Sequence, residues 1–246
     1  MCDHHNSSTP DPTPDFPRRN FLKLAGAAAL GLVFADRVSG AQPLAPPKPH
    51  NILSPDAALD RLMKGNERYV KGSALRHDFV AERQALVLGQ NPYAGILSCA
   101  DSRVAPEFAF DTGRGDLFVC RVAGNFAEAS SIASFEYGVA VLGLPFILVL
   151  GHSSCGAVDS TIKAVKDGTQ FPGHIPSLIK AIRPAVKAVL DRPGNLLDNA
   201  VKQNVLDNVE ALKRASPILD AGVKKKTLRV AGGVYDLHTG RVEIFA

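Results

Sequence analysis

Pro145 to Gly156 reads PFILVLGHSSCG. The run Phe146–Leu150 is apolar throughout, with no polar alternation, as expected of a strand buried on both faces. It ends in His152 and Cys155, a His-x-x-Cys pair placed where a helix begins. Open parallel sheets build their sites at that edge, beyond the carboxyl ends of the strands. A thiolate and an imidazole delivered there together are the donor types that hold zinc.

The flanking chain supplies partners for this strand. Upstream, AGILSCA (Ala94–Ala100) and GDLFVCRVA (Gly115–Ala123) read as strands, and Ser130–Leu142 between the second of these and Pro145 reads as a helix. Ser54–Gly72 carries a helix start signal: Ser54 can cap, Pro55 takes the first helical position, and Asp56 suits the positive end. Ala58, Leu62, Asn66 and Tyr69 then fall on about one face. Phe79–Gly89 is a second, short helix candidate. A third helical region follows Gly156. Two more are Ile175–Asp191, expected to break at Pro184, and Leu196–Ala215. The close, Thr227–Phe245, reads as a hairpin turning at His238-Thr239-Gly240. Strands alternating with helices predict an α/β domain with a mainly parallel sheet and an antiparallel final strand.

The 246 residues are 46% hydrophobic and 21% charged, which suits one soluble domain with a sizeable core. The net charge of +4 partly reflects the first forty residues and the run Lys224–Lys226, with no interleaved aromatics, so nucleic acid is not an expected partner. Residues 1–17 are polar and proline-rich. Arg18-Arg19-Asn20-Phe21-Leu22-Lys23 then opens a modestly apolar run, and Ser39 and Ala41 are placed for cleavage after Ala41. The expected layout is a twin-arginine export signal over 1–41, a linker over 42–53 and one domain over 54–246. The apolar run is too short for a membrane span. The mature chain is expected in the periplasm or another extracytoplasmic space, with no stable span after processing.

The second half of the site comes from Ser98–Val104, SCADSRV, directly after the first strand. A cysteine met singly is more often a small core residue, and Asp101 with Arg103 could be an exposed pair worth little. If the first and third strands are neighbours, however, Cys99 meets His152 and Cys155. Two thiolates, one imidazole and an open position make the donor set of a catalytic zinc. Cys120 reads as a structural strand residue, and four scattered cysteines do not make a disulfide framework. Gly151-His152-Ser153-Ser154-Cys155 approaches the nucleophile elbow of serine hydrolases, but Cys155 stands where that turn wants glycine. Ser153 and Ser154 are expected to cap the following helix instead.

Together, CADSR and GHSSCG resemble the β-class carbonic anhydrases, over a span from about Ser54 to the C-terminus. The resemblance implies a four-stranded parallel sheet extended by one antiparallel strand, with helices on both faces. It also implies a homodimer or higher homo-oligomer whose N-terminal helices pack on the partner. One Zn²⁺ per chain would be bound by Cys99, His152 and Cys155. Asp101 and Arg103 match the paired catalytic carboxylate and guanidinium, and Asp101 is a competent fourth zinc ligand if the grip of Arg103 fails. Gln90 matches a substrate-binding glutamine. Phe118 and Tyr137 match aromatics lining the CO₂ pocket of the plant-type subclass, while Ala123 replaces a larger aliphatic residue. The implied activity is reversible hydration of carbon dioxide to bicarbonate and a proton. Alternatives are a carbon disulfide or carbonyl sulfide hydrolase, a non-catalytic zinc- or bicarbonate-binding protein, which would be expected to lack Asp101 or Arg103, and a purely structural zinc protein. His77, His174 and His238 are candidates for moving the proton.

Overall fold

Ala94–Ser98 (β1) and Phe146–His152 (β3) are buried at every residue and lie side by side at the middle of one sheet. The coordinates are a computed structural model that describes residues 47–246. The expected export signal, its cleavage point and the start of the linker lie outside the described residues. The sheet is completed by Leu117–Arg121 (β2), Arg229–Tyr235 (β4) and Val242–Ile244 (β5), in the order β2-β1-β3-β4-β5. The first four strands are parallel, and β5 returns antiparallel to β4. This is the sheet expected from the sequence. The hairpin turn also falls where expected, with the Asp236 carboxylate accepting from the N–H groups of His238 and Thr239.

The pleat divides the apolar side chains between two cores. Ile96, Phe146, Leu148 and Leu150 face Ala58 and Leu62 of the helix Pro55–Val70 (α1), together with Tyr93 and Phe110. Leu97, Ile147 and Val149 face the opposite layer. That layer is formed by Ala129–Leu142 (α4), Leu196–Arg214 (α7) and Ile218–Lys224 (α8), through Phe135, Val205, Val209, Leu212 and Leu219. Fully burying a side chain of this size stabilises the fold by about 1.5–3 kcal/mol relative to exposure. Gly151 lets α7 approach β3 closely, since a Cβ there would stand 2.7 Å from Val205.

The short helices Pro106–Ala109 (α3) and α8 were not legible as separate elements. The helix Ile175–Lys187 (α6) continues through Pro184, correcting the expected break. Pro184 is on the exposed side, where the carbonyl that loses its hydrogen bond can face water. Ser54 does cap α1, accepting from Ala57 N–H at 3.3 Å. Asn66, a polar residue on the buried face of α1, donates to Ala109 O and Gly240 O and accepts from Val242 N–H, so it ties the helix to the hairpin. In this chain α1 therefore covers its own sheet. The helix Phe79–Ala85 (α2) buries none of its residues in the chain. Ahead of α1, Lys48 Nζ and Asn51 Nδ2 donate to the buried Asp116 carboxylate at 2.8 and 3.1 Å, which anchors the end of the linker. No helix among the described residues is long and apolar enough to cross a membrane.

Candidate metal centre

The register sets the site. Ser98 pairs with Leu150, so Cys99, one residue beyond β1, and His152, the last residue of β3, arrive at the same sheet edge. A tight turn then brings Cys155 back over that edge. Ser154 adopts left-handed backbone (φ +55°), Ser153 N–H donates to Tyr235 O, and Ser153 Oγ accepts from Leu237 N–H. Neither serine caps the next helix, Gly156–Lys166 (α5), whose N-cap is Cys155 with no side-chain cap bond; the expected capping role is corrected. The hydrogen bond from the hairpin claims the Ser153 hydroxyl instead.

The ligand atoms of Cys99, His152 and Cys155 lie within 4.8 Å of one another, and the two sulfurs are 4.0 Å apart. All three residues are buried. His152 Nδ1 donates to the Ser153 carbonyl at 2.9 Å, which leaves the Nε2 lone pair free. Nε2 is buried and has no hydrogen-bond partner among the described residues. An unpartnered polar atom in such a place is costly unless something else engages it. A divalent cation would.

The proton affinities point the same way. The hydrogen bond from Cys155 holds the Cys99 thiol far below its ordinary range, against the effect of burial. The same bond, with burial, pushes Cys155 up. Burial alone would lower His152, but the neighbouring Cys99 sulfur outweighs it and raises the imidazole. Three acidic or basic donors are thus competing for too few protons, and a metal ion replaces the protons outright. Two thiolates, one imidazole and an open side fit zinc.

Asp101 stands at the rim, its Oδ2 3.8 Å from His152 Nε2. Arg103 grips it with both arms of the fork, Nε to Oδ1 at 2.9 Å and Nη2 to Oδ2 at 2.7 Å, and adds its backbone N–H to Oδ1 at 3.0 Å. The Arg103 hydrogen bonds hold the Asp101 carboxyl well below the usual carboxylate range, against the opposing effect of burial. This is a bidentate, charge-assisted pair fixed beside the ligand cluster. The exposed pair weighed from the sequence is placed at the centre.

Several groups that support the cluster were not singled out from the residue pattern. Arg121, at the end of β2, donates to the carbonyls of Cys99, Asp101 and Val104 at 2.8–2.9 Å and so holds the loop carrying the aspartate. Gly124 N–H donates to Cys99 Sγ at 3.3 Å. Asn204 and Asn208, buried polar residues four apart on the apolar face of α7, were the one signal in the sequence that this layer does more than pack. Cys120 is half-buried on β2 and away from the cluster, with burial raising its thiol.

Gln90, Phe118 and Tyr137 are not brought to the cluster within one chain. Gln90 is exposed ahead of β1. Phe118 pairs with Gly95, roughly 13 Å of strand from Cys99, and packs edge-on against Phe135. Tyr137 is half-exposed on the outer side of α4. His77 is bonded to Glu82, and His174 and His238 are exposed.

A family model described as carbonic anhydrase matches residues 94–242. Carbonic anhydrase 2 of Mycobacterium tuberculosis is 39% identical over 191 residues, 76% of this chain and 91% of that protein. A carbonic anhydrase of Mycolicibacterium smegmatis is 38% identical over 194 residues, 78% and 93% of the two chains. Among solved structures, the Coccomyxa β-carbonic anhydrase in complex with acetazolamide superposes with a TM-score of 0.59 at 27% identity, covering 76% of this chain and 86% of that one. The buried Cys99–His152–Cys155 cluster at the edge of a β2-β1-β3-β4-β5 sheet and these relatives lead to one conclusion: the chain belongs to the carbonic anhydrase family, as a zinc enzyme of its β class.

Proposed function

We propose that this chain carries out reversible carbon dioxide hydration with Asp101 as the group that orients the nucleophile and Arg103 as the group that holds Asp101. The observation that carries the assignment is the bidentate Arg103–Asp101 pair with Asp101 Oδ2 3.8 Å from His152 Nε2. Cys99, His152 and Cys155 would hold zinc, which when bound would supply a Lewis acid able to lower the pKa of water at the open position. Asp101, kept ionised, offers a lone pair at the edge of that position and accepts a hydrogen bond there. Arg103 fixes the direction of the lone pair and, by occupying both carboxylate oxygens, keeps Asp101 from becoming a ligand itself. Two thiolates offset the metal's charge, so a fixed acceptor is of more use here than beside a three-histidine site. Both members of the pair are present and bonded, which disfavours a non-catalytic binding role. Stopped-flow hydration of carbon dioxide by zinc-quantified protein tests the reading. Hydration that scales with zinc content is expected, and zinc-loaded protein without it would reject the assignment.

The working unit in this proposal is a homodimer or higher oligomer. Gln90, Phe118 and Tyr137 do not reach the centre of their own chain, so their expected substrate-binding role needs a second copy to bring them there. In support, α2 and its surroundings expose Phe79, Val80, Val87, Leu88 and Phe108, an apolar surface that a second copy would cover. Sedimentation equilibrium is expected to give at least two chains per particle; a monomer with full activity would refute this. The proposed route of export rests on Arg18-Arg19 and the apolar run after them. Replacing both arginines by lysine should retain the precursor inside the cell, and unchanged export would reject the twin-arginine route.

A further inference from the structure

The loop after β2 reaches the metal centre with a backbone group. Gly124 and Asn125 both adopt left-handed backbone, φ +87° and +41°. Asparagine is among the few residues besides glycine that adopt it readily, but the Asn125 Nδ2 is buried without a hydrogen-bond partner among the described residues. At Gly124 a side chain would be strained by the backbone conformation, and a Cβ would press on Ile182 Cδ1. Something must hold such a loop in place, and α7 does.

Asn204 Nδ2 donates to Gly124 O at 2.8 Å, and Asn208 Oδ1 accepts from Ala127 N–H at 2.6 Å. Asn208 Nδ2 in turn donates to Asn204 O at 2.7 Å. The two asparagines, one helical turn apart and both buried, therefore clamp the two ends of the segment 124–127. They do so from a helix face otherwise made of Ala200, Val201, Val205, Val209 and Leu212, where amides would be out of place without partners. What the clamp presents to the centre is Gly124 N–H, 3.3 Å from Cys99 Sγ.

We propose that Asn204 is a positioning residue for the metal: by fixing Gly124 it aims the Gly124 N–H at Cys99 Sγ and thereby limits the electron density that this thiolate gives to zinc. An N–H donor on a ligating sulfur stabilises its negative charge and leaves the metal a stronger Lewis acid. In a centre with two thiolates this restores part of the acidity that their charge removes. The inference rests on the three-ligand centre.

The test replaces zinc by cobalt in the full chain and reads the thiolate-to-cobalt charge-transfer band. Asn204→Asp keeps the shape of the side chain but removes the donor to Gly124 O. It should bind one cobalt per chain as the wild type does, with the band moved to longer wavelength because the sulfur is more electron-rich. An unmoved band in a folded, cobalt-loaded Asn204→Asp protein overturns the proposal, since a purely structural asparagine would lower the melting temperature alone. If Asn204→Asp does not fold, Asn208→Ala, which frees the Ala127 end of the clamp and the bonds from Asn208 to Asn204 but keeps the donor to Gly124 O, should give a smaller shift in the same direction. No shift there also overturns it. A wild-type cobalt protein without a thiolate band would instead refute the ligand set, and is distinguishable for that reason.

Discussion

Replacing Asp101 by asparagine isolates the carboxylate's contribution. The variant keeps the size of the side chain and leaves Cys99, His152 and Cys155 untouched, so zinc should remain at one per chain. What changes is the sense of the hydrogen bonds. Arg103 presents Nε and Nη2 to the two oxygens of Asp101 at 2.9 and 2.7 Å. An amide has one oxygen, which turns to the guanidinium, and its NH₂ group then faces the centre. A donor replaces the acceptor at the position 3.8 Å from His152 Nε2. A positioned group of this kind typically contributes about 10²–10⁴-fold, or about 3–5 kcal/mol in the activation barrier. Because Arg103 holds the Asp101 carboxyl well below its ordinary range, it is ionised throughout the working range. The wild-type to variant ratio should therefore be flat from about pH 6 to 9, although both rates rise with pH. Stopped-flow hydration on metal-quantified samples reads both the ratio and its slope. A zinc-replete variant within about threefold of wild type would refute the reasoning, as would a ratio that changes steadily with pH.

Three further outcomes are expected. Cys155→Ser should lose most of its metal under elemental analysis and change the cobalt spectrum; full retention would reject the ligand set. Arg121→Ala removes three bonds to the loop carbonyls of Cys99, Asp101 and Val104, and should weaken zinc retention against a chelator by about 10-fold or more while the fold persists. Lys48→Met should lower stability by about 1–3 kcal/mol in denaturant titration at neutral pH. Burial alone would raise Asp116, but the bonds from Lys48 and Asn51 outweigh it and the carboxyl is lowered. Its contribution is thus present above the unfolded value of about 3.9 and lost as pH falls through the folded value. The gap between wild type and Lys48→Met should therefore shrink below about pH 4.

The chemical identity of the centre was legible in the sequence because its parts are local. An unbroken apolar run marks a buried strand, and the residues that leave its end are those that the sheet edge presents. Cys99, Asp101 and Arg103 after one such run, and His152 and Cys155 after another, needed only adjacency to make a site. Adjacency itself is non-local, and only the tertiary structure placed β1 beside β3 in the register, Ser98 against Leu150, that carries Cys99 and His152 to the same sheet edge. The same holds for the groups that tune the centre. The contacts of Arg121 and Gly124 pass through carbonyls and an amide that every residue carries, so no side-chain pattern announces them. Pro184 stayed helical because its missing bond faces water, which depends on where α6 lies and not on the residue. Residue types and strand ends determined the reaction the chain can perform. Packing decided which backbone groups hold the metal's ligands, because hydrogen bonds to the peptide unit are specified by position and leave no trace in composition.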